Sequence, residues 1–443
     1  MSVATEIERL QGAKIALRAS LEGKGVSVPE AETLDAYGGY VEQIETGGYQ
    51  RPADWLPLPE LEASDNKFVG LLAVYDQGPE YVALSARGNY IVFWGDGTND
   101  MYASDATAEH VYDYNSPALV GTECSRGYRQ VIVRVWTQTG YAFTGINLQR
   151  RPSIYSDGRT AAGWLDIAVA GPSLTSMAIG GTGYRLAMLE QAKIHSHAVG
   201  VLDNLFRGCF KLQSVPVLDL SSATSMNYLF YECHSIAKVP PLETQPMSGM
   251  NAMFYRCFCL MEGPVMDTSA LTSFSSMFYM CHSLRRIPFY DTSAVTSMSY
   301  TFLSCYNLED LPPLDFSSVT SFIQPFNDCW ALRTLPPMAT PTTNIYRTFY
   351  NCNSLRAIEM LNASHITGTN YAFNGCYSLR RLLLHGMRES FSSTYSDLSA
   401  DALNELYESL GSTSGETVTV ANNVGAPDSD PSIATNKGWT VSW

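Results

Sequence analysis

Charge is what this chain has least of. Only 16% of its residues are Asp, Glu, Lys or Arg, against about 25% in an average soluble domain. The balance is acidic, with 28 basic and 43 acidic residues and a formal net charge of −15. Lys and Arg form no cluster. A nucleic-acid binder needs one to displace counterions from phosphates, so nucleic acid is not an expected partner. An anionic membrane surface is disfavoured for the same reason. No apolar run approaches the ~20 residues of a membrane span, so no membrane insertion is expected. The opening Met1–Glu8 is acidic, with no apolar stretch behind a basic one. It does not read as a secretory leader, and the chain is expected to fold in a cytoplasm. Signatures of catalysis are also missing: no Gly-x-Ser-x-Gly elbow, no phosphate-binding loop, no His-Glu-x-x-His. A non-enzymatic protein without cofactor or metal is expected.

What the chain does have is apolar and aromatic. Hydrophobic residues make up 45% of 443, and Tyr alone occurs 26 times. That length predicts several domains rather than one core.

The dominant feature is a repeat. Cys stands at 209, 233, 257, 281, 305, 329, 352 and 376, at intervals of 24 residues with a single 23. Three residues before each stands Phe: Phe206, Phe230, Phe254, Phe278, Phe302, Phe326, Phe349, Phe373. Three residues after stands Leu or Ile, from Leu212 and Ile236 to Leu379. Units this small cannot bury an apolar face alone, so they must stack, Phe on Phe and Cys on Cys. A Thr-Ser-Met or Thr-Ser-Phe stretch is expected to form one strand per rung. The Phe-x-x-Cys-x-x-Leu stretch is expected to return as a helical or 3₁₀ turn, because three-residue spacing puts those side chains on one face. Rungs ~4.8 Å apart would bring successive Cys near disulfide range. Parallel side chains in a buried column favour free thiols, with Cys as a small hydrophobe.

This vocabulary resembles the BspA-like leucine-rich repeats and their Phe-x-x-Cys-x-Ser-Leu signature. His282-Ser283-Leu284 and Asn353-Ser354-Leu355 follow it closely. The resemblance implies a solenoid fold and, in general terms, binding and adhesion.

The flanks read differently. Residues 5–22 and 33–45 carry helical spacing, with Ile7, Leu10, Leu17 and Leu21, then Leu34, Tyr37, Val41 and Ile44. They predict two short amphipathic helices that dock on each other, a sister chain or a partner. Leu10-Gln11-x-Ala13-Lys14 and Lys24-Gly25-Val26-Ser27-Val28-Pro29 resemble the openings of phage tail proteins, which implies a virion protein. Residues ~51–175 carry strand-like runs, such as Tyr90-Ile91-Val92-Phe93 and Gln130–Val135. Between them stands Trp94-Gly95-Asp96-Gly97-Thr98, a tight-turn signal. With His110-Val111-Tyr112 and Gly127-Tyr128 downstream, this order resembles PKD-like immunoglobulin-type sandwiches. Asp96 is read as a turn residue rather than a calcium ligand. Beyond the repeats, Leu403, Leu406, Tyr407 and Leu410 predict a capping helix, and Thr417–Val420 and Trp439–Trp443 predict closing strands. Pro431–Trp439 resembles the ends of phage and prophage repeat proteins.

Candidate chemistry is sparse. His195 and His197 lack further metal ligands nearby. Asp219, Glu243, Asp267, Asp291 and Asp315 recur 24 apart and are read as turn-capping acids rather than a glycosidase pair. The candidate surface is an aromatic stripe. One position after each repeat Cys stand Phe210, His234, Phe258, His282, Tyr306, Trp330, Asn353 and Tyr377. Two positions before it stand Tyr231, Tyr255, Tyr279 and Tyr350. Alternation with the buried columns points both rows outward. Such rows stack on sugars or anchor a protein; alternatively they pack on a neighbouring domain or sister chain, or fill gaps between rungs.

The expectation is therefore a multidomain, mainly β chain with short helices. It comprises an N-terminal helical attachment segment (1–48), a PKD-like sandwich (49–178), a leucine-rich-repeat solenoid (179–390) and a C-terminal cap (391–443). The expected role is a phage virion protein, assembled in the host cytoplasm. Its N-terminal segment would bind other virion proteins, its solenoid a host cell-surface glycan or protein, and it would self-associate as tail-fibre trimers do. A structural head or baseplate protein and a bacterial surface adhesin are the rivals.

Overall fold

The computed structural model describes residues 49–76, 80–153, 163–181, 186–196, 199–214, 218, 220–242, 245–339 and 341–443. The helices expected at 5–22 and 33–45 lie outside them, as do His197, Asp219 and Glu243. Met1–Trp55 and Leu56–Trp443 are separate compact units, and every strand and helix named below belongs to the second.

Ten strands build a two-sheet sandwich. They are β1 (Lys67–Val74), β2 (Glu80–Arg87), β3 (Tyr90–Phe93), β4 (Asn99–Tyr102), β5 (Ala108–Tyr112), β6 (Arg129–Thr137), β7 (Gly145–Asn147), β8 (Trp164–Ala170), β9 (Ser176–Ala178) and β10 (Gln191–His195). One sheet runs β10-β8-β1-β6-β3-β4 and the other β5-β2-β7-β9. Period-two alternation is clear in β3, where Tyr90 and Val92 are buried and Ile91 and Phe93 half-buried. Strands β1 and β8 are buried on both faces, because Leu58 and Leu61 cover Val69, Ala168 and Ala170 on the outer side. Gly70 is needed in β1: a Cβ there would sit 2.3 Å from the Trp164 ring.

The turn between β3 and β4 is built as a polar knot. Asp96 Oδ1 accepts from the Thr98 N–H at 3.0 Å and from its hydroxyl at 2.6 Å. Asp96 Oδ2 meets His110 Nε2 at 2.7 Å. The His110 ring stacks on Trp94 at 4.8 Å, and the Tyr112 hydroxyl donates to Trp94 O at 2.6 Å. Gly95 and Gly97 take positive φ, which this turn demands. The Trp-Gly-Asp-Gly and His-x-Tyr pieces thus serve one turn.

The sandwich runs directly into the solenoid. Strand β10 pairs in parallel with β8, and Gln191 bridges on to Ser214 of the first rung. The Glu190 N–H donates to Leu165 O at 2.9 Å, while its carbonyl accepts from Gln213 (2.9 Å) and Ser214 (3.1 Å). Its buried carboxylate pairs with Arg126 of the sandwich. One hydrophobic core continues from Phe68 to Trp439. The first rung therefore has no exposed apolar end; the sandwich caps it.

The rungs differ from the expected strand-plus-helical-turn. The Thr-Ser-Met arm makes only single-residue parallel bridges, such as Ser225↔Gly249, Ser273↔Ser297 and Ser297↔Ser321. The fuller pair lies in another arm, just after the repeat Leu, where β11 (Ala357–Met360) runs parallel to β12 (Arg381–Leu384). The return arm is neither α nor 3₁₀. Two residues per rung, five and one before each Cys, take the left-handed conformation, for example Tyr228 (φ 58) and Glu232 (φ 59), or Tyr300 (φ 61) and Ser304 (φ 58). Each left-handed residue stops helical propagation after one turn. The result is an alternation of bonds. Phe230 and Glu232 donate across to the next rung, at Met253 O and Tyr255 O, while Tyr231 and Cys233 donate back to Tyr228 O and Phe230 O. Every turn thereby hydrogen-bonds both within itself and to its neighbour, leaving no buried N–H of this set unpaired.

The far end is closed as expected. Helix α1 (Ala400–Ser409) starts at the Ser399 cap and buries Leu403, Leu406 and Tyr407. Strands β13 (Phe391–Ser392), β14 (Thr417–Thr419) and β15 (Thr440–Ser442) form a parallel sheet. Lys437 Nζ donates to Tyr407 O (3.0 Å), Glu408 O (2.6 Å) and Leu410 O (2.9 Å), satisfying the carbonyls at the end of α1. Trp439 Nε1 donates to Gly411 O at 2.8 Å. The Lys-Gly-Trp of the closing stretch is therefore a capping device.

Candidate functional site

The site is built outward from two buried columns. Phe206 through Phe373 stack in offset pairs with centroids from 5.5 Å (Phe254–Phe278) to 6.1 Å (Phe326–Phe349). Beside them runs the Cys column, and all ten cysteines of the chain are free, as expected. The thiols do more than fill space. From Cys233 onward each donates to the carbonyl of the Phe one rung earlier: Cys233 to Phe206 O (3.0 Å), Cys281 to Phe254 O (3.1 Å), Cys376 to Phe349 O (3.2 Å). Burial pushes every column thiol up, Cys376 to about 12, so none is a nucleophile near neutral pH.

These columns hold the next residue of each rung on the solvent side. Its backbone is tied rung to rung, with Ser235 N donating to Phe210 O and Ser354 N to Trp330 O, both at 3.1 Å. Phe210, His234, Phe258, His282, Tyr306 and Trp330 consequently form one face-to-face ladder. Successive centroids are 4.5, 4.5, 4.8, 4.6 and 4.2 Å apart. The interior rings are half-buried, with their faces taken by neighbours and their edges turned to solvent. Stacking of a ligand on interior ring faces is thus blocked; the ladder offers edges, and open faces only where it ends. Burial between Phe258 and Tyr306 lowers the pKa of His282, favouring its neutral form.

A second, shorter ladder runs beside it. Tyr231, Tyr255 and Tyr279 stack at 4.4 Å. Arg207 occupies the same repeat position one rung earlier, its guanidinium 4.3 Å from the Tyr231 ring, as a cation–π end-piece. Tyr350 belongs to neither ladder; it lies 5.1 Å from Arg347, which also faces Tyr346 and Tyr371 at 5.3 Å. Tyr377 stands apart in the first row, beyond Asn353. The arginines were not among the residues singled out from sequence, although Arg207 sits in register with the tyrosines.

The other sequence candidates fall to structural roles. Asp267 and Asp291 each accept from the Ser two residues on, backbone and hydroxyl, at 2.7–3.0 Å. They cap turns, as the register implied. Cys259, two residues after the buried column residue Cys257, is exposed. Among the described residues no three His, Cys, Asp or Glu side chains gather as a metal would require.

The family models match the repeat region. A family model for the BspA type leucine rich repeat region, in six copies, matches residues 299–399. A second, described as a Mycoplasma protein of unknown function, DUF285, matches 200–309 and 250–336. The rungs within residues 299–399 are BspA-type leucine-rich repeats. No curated protein matches significantly. Among solved structures, a leucine-rich repeat protein from Bacteroides ovatus is similar at 15% identity, over 65% of this chain and 88% of that one, with a TM-score of 0.29. A Leptospira interrogans leucine-rich repeat protein is similar at 10%, over 67% and 93%, with a TM-score of 0.26. At such scores the superposition is loose, and the repeat assignment rests on the family model.

Proposed function

We propose that this chain is a non-enzymatic attachment protein, whose solenoid recognises a cell-surface glycan or protein along its aromatic face. The observation that carries this is the uninterrupted ring ladder from Phe210 to Trp330, half in solvent over six rungs. Core stability needs no such row, since the Phe, Cys and Leu columns are already closed beneath it. A contiguous half-exposed aromatic strip on a charge-poor chain fits a contact surface. Many copies on one particle would add weak contacts through avidity.

The carrier in this proposal is a tailed-phage virion, as a tail fibre or baseplate-associated protein. The resemblances at 10–29 and 431–439 support it. The N-terminal segment binds other virion proteins, the sandwich is a PKD-like spacer, and the assembly is a trimer. A bacterial surface adhesin is the competing reading, favoured by the BspA-type repeats. The test has two arms. Purified wild-type chain should bind intact cells, and a folded Tyr306→Ala/Trp330→Ala double variant should not. Equal binding by both would remove the ladder as the contact surface. An antibody to the chain should then label purified virions; label on bacterial cell surfaces instead would replace the phage reading with the adhesin.

A further inference from the structure

The ladder has a missing tooth. From Phe210 to Trp330 every rung supplies a ring, each 4.2–4.8 Å from the last. The next rung supplies Asn353, and the one after it Tyr377. The two rings beside the gap are the exposed members of the row, Trp330 at 45% and Tyr377 at 58%, where the others are half-buried. An interior ring is shielded on both faces; these two are not. By the rung spacing of ~4.8 Å their positions are about 9–10 Å apart, which is the room one ring takes when stacked on both sides.

Asn353 makes the floor of this gap. With its amide oriented to satisfy its neighbours, its nitrogen donates inward to Gly375 O (2.8 Å) and Asn351 O (3.2 Å). That draws the side chain back to the backbone, and the amide oxygen has two lone pairs, one of which a ligand hydroxyl can use. The floor is held at rung spacing, with Ser354 N bonded to Trp330 O (3.1 Å) and Ser378 N to Asn353 O (3.2 Å).

We propose that the Trp330–Asn353–Tyr377 gap is a carbohydrate subsite that takes one neutral sugar ring between two aromatic faces. The proposal rests on the attachment reading above and gives it a place and a ligand class. A pyranose has two C–H faces for Trp330 and Tyr377 and a rim of hydroxyls for the Asn353 oxygen. A sugar ring held between two aromatic faces needs no charge, so neutral hexoses and N-acetylhexosamines are the ligand class the gap fits.

The informative variant is Asn353→Phe, which restores the missing ring. Six neighbouring rungs already carry a ring at this position, stacked in five successive pairs, so the variant should fold and melt like wild type, or higher. The full chain is titrated with a panel of neutral hexose and N-acetylhexosamine oligosaccharides, read by tryptophan fluorescence and calorimetry. At least one should bind wild type; Asn353→Phe should abolish that binding, and Tyr377→Ala should weaken it about tenfold, the worth of one aromatic wall. No binding across the panel, or equal binding by Asn353→Phe, overturns the subsite. Cell binding separates it from the broader reading. Cells that still bind Asn353→Phe as well as wild type leave the attachment role standing and the gap without a part in it. Oligosaccharide binding without cell binding does the reverse. Binding that survives periodate oxidation of the cells but not protease treatment also overturns the subsite, in favour of a protein partner.

Discussion

Cys281 tests what the repeat cysteine is for. If it is only a small hydrophobe, Cys281→Ser should be worse than Cys281→Ala, because a hydroxyl would enter an apolar column. An unpaired hydroxyl there costs about 1–3 kcal/mol. The geometry predicts otherwise. The thiol is fully buried and donates to Phe254 O at 3.1 Å, a bond the serine hydroxyl inherits. Alanine loses burial of a group about one methylene in size, ~0.8 kcal/mol, together with a residual cavity term. It also loses the weak S–H bond, worth about 0.5–1 kcal/mol. It leaves no orphan acceptor, because Phe254 O still receives the Cys257 N–H at 3.1 Å. Cys281→Ala should therefore destabilise by about 1.5–2.5 kcal/mol, and Cys281→Ser by no more than that. Urea unfolding followed by circular dichroism measures both, with an unchanged denaturant slope as the check that the same surface is exposed. A serine variant more than about 1 kcal/mol less stable than alanine would refute the donor role and restore the purely hydrophobic one.

Alkylation should report the same column: in native protein iodoacetamide should modify Cys259 alone, and all ten cysteines after denaturation, counted by intact mass. Rapid native labelling of any column residue would contradict its burial and raised pKa. Because burial lowers the His282 pKa, the unfolded chain binds the proton more readily, so stability should rise with pH through the range below the ordinary histidine value and fall as the solution is acidified. His282→Phe should flatten that dependence in thermal melts between about pH 5 and 7; an unchanged slope would mean the imidazole does not contribute. Partial burial works to raise the Asp96 carboxyl, but bonds from Thr98 and His110 outweigh it and hold it below the usual carboxylate range. Its contribution is present above the unfolded carboxylate value and lost as pH falls through the folded one. Asp96→Asn should weaken the sandwich near neutral pH and have a shrinking effect toward pH 3, and a constant difference across that range would argue against the carboxylate as the cause.

The repeat period was legible because stacking is local. A rung that buries Phe230, Cys233 and Ile236 must present the same residues to the next, so the 24-residue register carries the core directly. The capping acids at Asp267 and Asp291 and the face of α1 were legible for the same reason: each depends on neighbours within a few residues. The return arm was misread because Phe-x-x-Cys-x-x-Leu spacing fits a helix and a chain of turns alike. Left-handed φ at residues such as Tyr228, Arg256 and Ser304 has no sequence mark when the residue is not glycine. The bonds to the next rung hold it.

The sequence by itself determined that this chain carries a stacked 24-residue repeat with buried Phe, Cys and Leu columns and a solvent-facing aromatic row, since a fixed period must bury the same positions in every rung. Three things only the tertiary structure decided. The sandwich and the first rung share a core, because β10 pairs with β8 and its Gln191 bridges on to Ser214, segments that no periodicity links. The repeat thiols are donors, because the acceptor of each lies one rung away, 26 or 27 residues back in the chain. And the aromatic row turns its edges outward, because rungs at strand spacing bring neighbouring rings to stacking distance and each covers the faces of the next.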